Sequence, residues 1–463
     1  QSDNITISGT LDTSSAITLN AINILRDGDA EHLTIFNNQV SPTILTSTTY
    51  TNGGYKYTFT QNADNKGVVD VTQGEKIDSV TLTDAGFAAA WKDSGTRAFS
   101  ATEDVNIRED MGLMIGTELT IFGNKHSING NGTDRLKIES TTTSPKTLNI
   151  YNVGSVDENK NVIASWNGHK GTDDGGALTV IGSTLNINSS VFSDNHCIDV
   201  QAGTTLNGGA IFGSYSNLNI SNSYFINNSA IHANKASMGG AISAASSNVN
   251  IISSYFKNNK AQNGGVLELA GRTANIIGSE FVENTATTNG GAILVSSNTT
   301  NIAKSTFTKN SAAYGGAMYI EGGSTNISDS IFTENTATSH GGAIYTRYNT
   351  NAVVNITNST FTANKALIDT YGGGAILNNL GTTMTIDNSK FVGNTTARYG
   401  GAIYNEGTLA IVSDKKDTIF TDNTATEGGN DIYSTGTLTF KGTMNTNITG
   451  GIAGSGTINK EES

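Results

Sequence analysis

Apolar and polar residues alternate along most of the chain, as in Leu185-Asn186-Ile187 and Leu218-Asn219-Ile220. No stretch keeps the i, i+3, i+4, i+7 stripe of an amphipathic helix, so the pattern predicts short β-strands throughout. Val, Ile, Thr, Phe and Tyr are frequent, and runs of Leu, Glu and Lys are sparse, as strands require. One segment departs from this: Asp84-Ala-Gly-Phe-Ala-Ala-Ala-Trp91 predicts a single short helix, with Asp84 able to cap its start.

The alternation is itself repeated. A Gly-Gly pair begins at Gly175, Gly208, Gly239, Gly264, Gly290, Gly315, Gly341, Gly373, Gly400 and Gly428, and a Phe-x-x-Asn lies between successive pairs, from Phe192/Asn195 to Phe420/Asn423. Within each unit an Ile stands five residues before the Phe, failing only at Lys415, and a Ser or Thr stands two before it. Five residues after the Phe stands Ala, replaced by Cys197 in the first unit and Thr396 in the eighth. Three short strands in so few residues, with no helical crossover, predict one coil of a parallel β-helix. The expected fold is therefore all-β, a right-handed parallel β-helix whose like residues stack about 4.8 Å apart. The Phe column should fill the bore, and the Gly pair should supply a corner with positive φ. The Asn suits a turn, where it takes left-handed angles or bonds the neighbouring coil.

Four regions follow: a β-rich N-terminal cap over 1–70, irregular early coils over 71–174, the regular repeats over 175–430, and closing coils over 431–463. No C-terminal cap is visible, which predicts that the natural protein continues past Ser463. Composition fits a repetitive rod. Glycine supplies 53 of 463 residues and proline only 2, and both prolines, Pro42 and Pro145, fall outside the repeats, since proline would delete a ladder donor. Lys plus Arg minus Asp plus Glu is 27 − 40 = −13, which argues against nucleic acid or anionic lipid as partner. A lone cysteine excludes an internal disulfide and a Cys-based zinc cluster; Cys197 reads as a small buried member of the Ala register. No run of 18 apolar residues exists to cross a membrane as a helix. Neither cofactor nor metal is expected.

Irregularity points to function. The first Gly and the Phe are 17 residues apart in each of the first six units, whereas the distance from Phe to the next pair ranges from 8 to 16. Insertions at 198–207 and 231–238, on successive coils, should lie side by side on one edge, with a third at 367–372. A second corner is enlarged at 348–353 and 413–417. Insertions confined to one face commonly carry binding in solenoids. The candidate binding residues are Ile198, Asp199, Gln201, Thr204, Ile231, His232, Asn234, Lys235, Asp369 and Tyr371. Tyr215, Tyr314, Tyr319, Tyr345, Tyr348, Tyr399 and Tyr404 are scattered around corners and suit protein or glycan contacts.

Catalysis finds less support. Polysaccharide lyases and hydrolases also use parallel β-helices, and that chemistry needs grouped carboxylates. Asp173-Asp174 is the best pair, close to His169 and Lys170, but adjacent strand residues point to opposite faces, and no catalytic role is assigned. His196, His232 and His340 share no register that implies a metal site. Trp91 and Trp166 lie outside the repeats. Gly428-Gly-Asn-Asp431 is similar to a calcium-binding nonapeptide turn, but the other Gly pairs lack the Asp.

The GGA[ILV] and FxxN tetrapeptides across 175–430 resemble the repeats of the polymorphic outer membrane proteins first known from chlamydiae. The tail Gly450-Gly-Ile-Ala-Gly-Ser-Gly-Thr-Ile-Asn-Lys460 resembles the segment that autotransporter passengers carry just ahead of their membrane barrel. The resemblance implies type V secretion and display on the outer membrane of a Gram-negative bacterium. It implies adhesion to host cells, through a surface protein or glycan, or to neighbouring bacteria by self-association. Membrane contact would come only through a C-terminal barrel absent from this chain. A polysaccharide lyase or hydrolase on the same scaffold is the alternative.

Overall fold

The computed structural model describes residues 32–34, 49–52, 55–61, 68–76, 80–82 and 84–95, then 98–461 except 108–110, 133–135, 141–144, 172–173, 199–204, 232–235, 298, 368–370, 414–416 and 443–446. Parallel strands form a β-helix, with long sheets of 12, 15, 13 and 12 strands running along it. One coil shows the plan: Leu267–Ala270, Thr273–Ile277, Glu280–Val282 and Thr285–Asn289 each join a different sheet. They are called here the Gly-Ala, Ile, Phe and short sheets. Three strands per coil were expected, and the short sheet is a fourth. It holds the Ala register, where Ala261 pairs with Ala286 and Cys197 with Ala230.

Inward residues make one continuous core. The rings of Phe281, Phe307, Phe332 and Phe361 stack 4.7 Å apart and 4° from parallel, and each is wholly buried. Burial of each ring contributes roughly 1.5–3 kcal/mol. Trp166, expected to lie outside the repeats, heads this column: it pairs with Phe192 and stacks on it at 5.4 Å. The Trp166-Asn-Gly-His169 tetrapeptide is a disguised Phe-x-x-Asn, in which buried His169 takes the Asn place and accepts a 3.0 Å bond from Trp166 Nε1. The Ile column is likewise unbroken. Ile386 pairs with Ile411, and the apparent failure at Lys415 is a shift caused by the residues inserted before Thr418.

Corners divide their labour. Gly315 needs its freedom of φ, at +62°, whereas Gly316 has no room: a Cβ there would lie 2.2 Å from the Gly342 carbonyl oxygen. The tenth pair sits one residue later than its sequence implies. Gly429 carries φ +62° below Ile432, and Asn430 stands where earlier coils have the second glycine. The left-handed residue of Phe-x-x-Asn is not the Asn but the one before it, such as Glu283 (φ 56°) or Lys309 (φ 55°). This turns the Asn side chain inward. Asn310 Nδ2 donates to the Phe281 carbonyl and to Asn335 Oδ1, both at 3.0 Å, and its Oδ1 accepts from Asn284 N and Nδ2. The pattern repeats from Asn195 to Asn423 as a buried amide ladder.

The predicted helix forms at Asp84–Trp91, and the capping expected of the Asp84 side chain lies outside the described residues. Phe87, Ala90 and Trp91 join the start of the rod's core. Before the helix, His32–Thr34, Thr49–Asn52, Tyr55–Gln61 and Val68–Lys76 form a separate antiparallel sheet. The tail does continue the coils: Ile452–Ala453 and Thr457–Glu461 extend the Gly-Ala and Ile sheets.

Candidate functional site

Strand pairing places the first two insertions beside each other. Both leave the paired strands His196–Cys197 and Ser229–Ala230, and they return through Leu206–Asn207 paired with Ser237–Met238. The third leaves from Lys365–Ala366 of the same short sheet and returns at Gly372, which bridges to Tyr399. Of the predicted binding residues, Ile198, Ile231 and Tyr371 are exposed, at 37%, 49% and 48%. Asp199, Gln201, Thr204, His232, Asn234, Lys235 and Asp369 lie outside the described residues. The second enlarged corner is in fact two. The residues at 348–352 separate Ile344–Thr346 of the Gly-Ala sheet from Val353–Thr357 of the Ile sheet, whereas 413–417 separate Thr408–Val412 of the Ile sheet from Ile419–Thr421 of the Phe sheet.

The Gly-Ala sheet carries a feature that tyrosine positions alone did not reveal. Its outward register pairs Leu294 with Tyr319, Tyr319 with Tyr345, Tyr345 with Leu377, Leu377 with Tyr404 and Tyr404 with Tyr433. Each follows the first Gly of its pair by four residues, counting from Gly429 in the last. That fixed offset was the available signal; the unequal insertions hid it behind irregular tyrosine spacings. A second column, at the residue before the pair, adds Tyr314, His340 and Tyr399. A third adds Glu321, Arg347, Asn379 and Glu406 just past the inward Ile320, Thr346, Asn378 and Asn405.

The columns touch. Tyr319 stacks on Tyr345 at 5.1 Å and Tyr404 on Tyr433 at 5.5 Å, while His340 meets Tyr371 edge-on at 5.2 Å. Between them opens a cleft of about 580 Å³. Tyr314, Tyr345, Tyr348 and Tyr371 supply its aromatic wall, Leu377 and Leu380 its apolar floor, and His340, Asn379, Glu406 and Thr435 its polar groups. These residues come from five successive coils, so the cleft follows the rod axis. Tyr371, predicted from the third insertion, is thus brought together with tyrosines assigned no common place.

Burial governs the cleft's protons. It raises Tyr319, Tyr345 and Tyr404 above the usual tyrosine range, keeping their hydroxyls neutral. It also raises Glu406, against the pull of a 3.2 Å bond from the Tyr404 hydroxyl. His340 is pushed down by burial, with a weak opposing pull from the Ser339 backbone, so its ring is neutral at neutral pH. It is 8% exposed, and its Nδ1 makes no hydrogen bond in acceptable geometry. Glu321 is paired with Arg347 at 2.9 Å. Earlier on the same outward register, Ser243 donates a 2.7 Å bond to buried Glu268, whose carboxyl burial pushes up to about 7.

The other chemical candidates are absorbed into the scaffold. Asp173 lies outside the described residues, and Asp174 Oδ1 accepts a 2.7 Å bond from Asn207 Nδ2 in the next coil. His169 is in the core, and His196 Nδ1 lies 2.7 Å from Ser229 Oγ on the coil surface. Cys197 is buried with Leu206 and Ala230, as its register implied. Asp431 is buried too, accepting from Asn423 Nδ2 and from the Gly450 amide; it closes the amide ladder. Among the described residues, no three His, Cys, Asp or Glu are grouped to hold a metal ion.

Comparison with known families decides what the repeats are. The family model for the Chlamydia polymorphic membrane protein (Chlamydia_PMP) repeat matches residues 278–296, 329–347 and 388–406. The chain carries Chlamydia polymorphic membrane protein repeats. Each match runs from the corner before the Phe sheet, through the short sheet and the Gly pair, into the Gly-Ala sheet. The three matched polymorphic membrane protein repeats are the units in which the first Gly follows the Phe by nine positions: Phe281 to Gly290, Phe332 to Gly341 and Phe391 to Gly400. No curated protein and no solved structure matches the chain.

Proposed function

We propose that this chain is the surface-displayed passenger of an autotransporter and acts as a non-enzymatic adhesin. The observation that carries the reading is the solvent-open tyrosine cleft, built on a rod of polymorphic membrane protein repeats and bordered by the insertion edge at Tyr371. Such a rod holds its binding face away from the surface that bears it. Stacked coils resist bending, and aromatic anchors give contact area at low entropic cost. The −13 net charge disfavours non-specific capture of nucleic acid and anionic lipid.

Beads coated with the purified chain should adhere to epithelial cells or to bacteria displaying the same chain. Deleting 198–207 and 231–238 should weaken adhesion if those loops share in binding. Deleting them without effect would confine binding to the cleft, and beads that bind neither surface would overturn the adhesin reading.

A further inference from the structure

Within this cleft, we propose a binding site for an uncharged oligosaccharide laid along the rod axis. Three observations converge on that chemistry. First, four tyrosines, Tyr314, Tyr345, Tyr348 and Tyr371, line a cleft that spans successive coils. Their ring surfaces offer apolar contact to the C–H surfaces of sugars laid along the cleft. Second, the polar groups between the rings are hydroxyl partners rather than ion partners. Asn379, Glu406 and Thr435 line the cleft together with neutral His340. Third, no Lys or Arg is among the lining residues, and Arg347 beside them is engaged by Glu321. A sialylated or sulfated glycan would meet the Glu406 carboxyl with no Lys or Arg among the lining residues.

A peptide fits less well. Added strands need an open sheet edge, and the Gly-Ala strands under the cleft are paired on both sides. A glycan needs only ring faces and hydroxyl partners.

The inference rests on the adhesin reading for the source of the ligand, and the test separates the two. The purified chain is applied to immobilised uncharged, sialylated and sulfated oligosaccharides, and in parallel to cells with and without enzymatic removal of their glycans. Binding to uncharged oligosaccharides is expected, weakened at least tenfold by Tyr345→Ala and by Tyr371→Ala, and several-fold by Glu406→Gln. Tyr215→Ala, an exposed tyrosine on an earlier coil, should leave it unchanged. Circular dichroism checks each fold; should Tyr345→Ala misfold, Tyr371→Ala and Glu406→Gln decide. Binding confined to anionic glycans, or indifferent to both tyrosine variants, overturns the inference. So does adhesion that survives glycan removal without any oligosaccharide binding, which leaves the adhesin reading standing. Oligosaccharide binding without adhesion overturns the adhesin reading and supports the cleft.

Discussion

Two columns of aromatic rings run along the same stretch of this rod, one inside and one outside, and they behave differently. The inner phenylalanines from Phe281 to Phe361 stack at 4.7 Å and 4°. The outer rings are less regular in spacing and tilt, from Tyr399–Tyr433 at 4.3 Å and 27° and Tyr404–Tyr433 at 5.5 Å and 8° to Tyr371 edge-on to His340 at 83°. Where outer rings sit on strands, as Tyr404 and Tyr433 do, they share the coil rise of the inner column, so the coil does not impose the difference. Enclosure does. Inside, each ring is held by rings above and below and by the Ile and Gly-Ala sheets around it. Outside, one face of each column meets solvent, and the hydroxyls and the neighbouring Glu406 and His340 pull the rings out of line. The same repeat therefore builds a rigid stack where it is sealed and an adaptable surface where it is open.

The sharpest way to break the inner column is Phe307→Ala. It should destabilise the surrounding coils by about 3–5 kcal/mol, read from urea unfolding or from hydrogen exchange at coils 290–340. Asn310→Ala attacks the ladder beside it, removing two donated bonds and leaving the Asn284 backbone N–H without its acceptor, while Asn284 Nδ2 keeps the Phe256 carbonyl; about 3 kcal/mol is expected. Glu268 tests the outer register through pH. Burial pushes its folded carboxyl up to about 7, well above the usual carboxylate range, so the folded state binds the proton more tightly. Stability is then greatest below about pH 4.5 and falls as pH rises through 7, by a few kcal/mol in all. Glu268→Gln should flatten that slope between pH 5 and 8 in urea midpoints. The smallest effect on stability belongs to Tyr345→Ala on the open column, within about 1 kcal/mol, even though it should cost the most in oligosaccharide binding. A Tyr345→Ala loss as large as that of Phe307→Ala would erase the distinction between the columns.

Much of the bore was legible because its residues obey strict offsets. Phe, Ile, Ser and the Ala register, with Cys197 in it, could be read from spacing alone. What escaped was chemistry at positions where a different residue does the same work. Trp166 and His169 replace Phe and Asn, and Asn430 replaces a glycine, so a search for letters misses them while a search for shape does not. The left-handed position moved for a related reason. Asn tolerates positive φ, but a buried Asn with four bonds to make is more useful facing inward, and exposed Glu283 or Lys309 takes the strained angle. The cleft was the least legible part. Its tyrosines share an offset from the glycine pair rather than from one another, and insertions between coils disguise it. Of the described residues assigned to binding, Ile198, Ile231 and Tyr371, only Tyr371 lines this site.

The amide ladder from Asn195 to Asn423 gives the rod a direction. Each Nδ2 donates once to the side chain of the later coil and once to a backbone carbonyl of the earlier one, every Oδ1 accepts from the earlier coil, and the row ends on the Asp431 carboxyl. Aligned dipoles polarise one another, so the row is electrically one-way, with an anion at its positive end. No single amide can turn round without losing bonds to both neighbours; reversal would have to be collective. Each coil is thereby told which way its neighbours face, and a defect at one asparagine is felt as a break in the whole line.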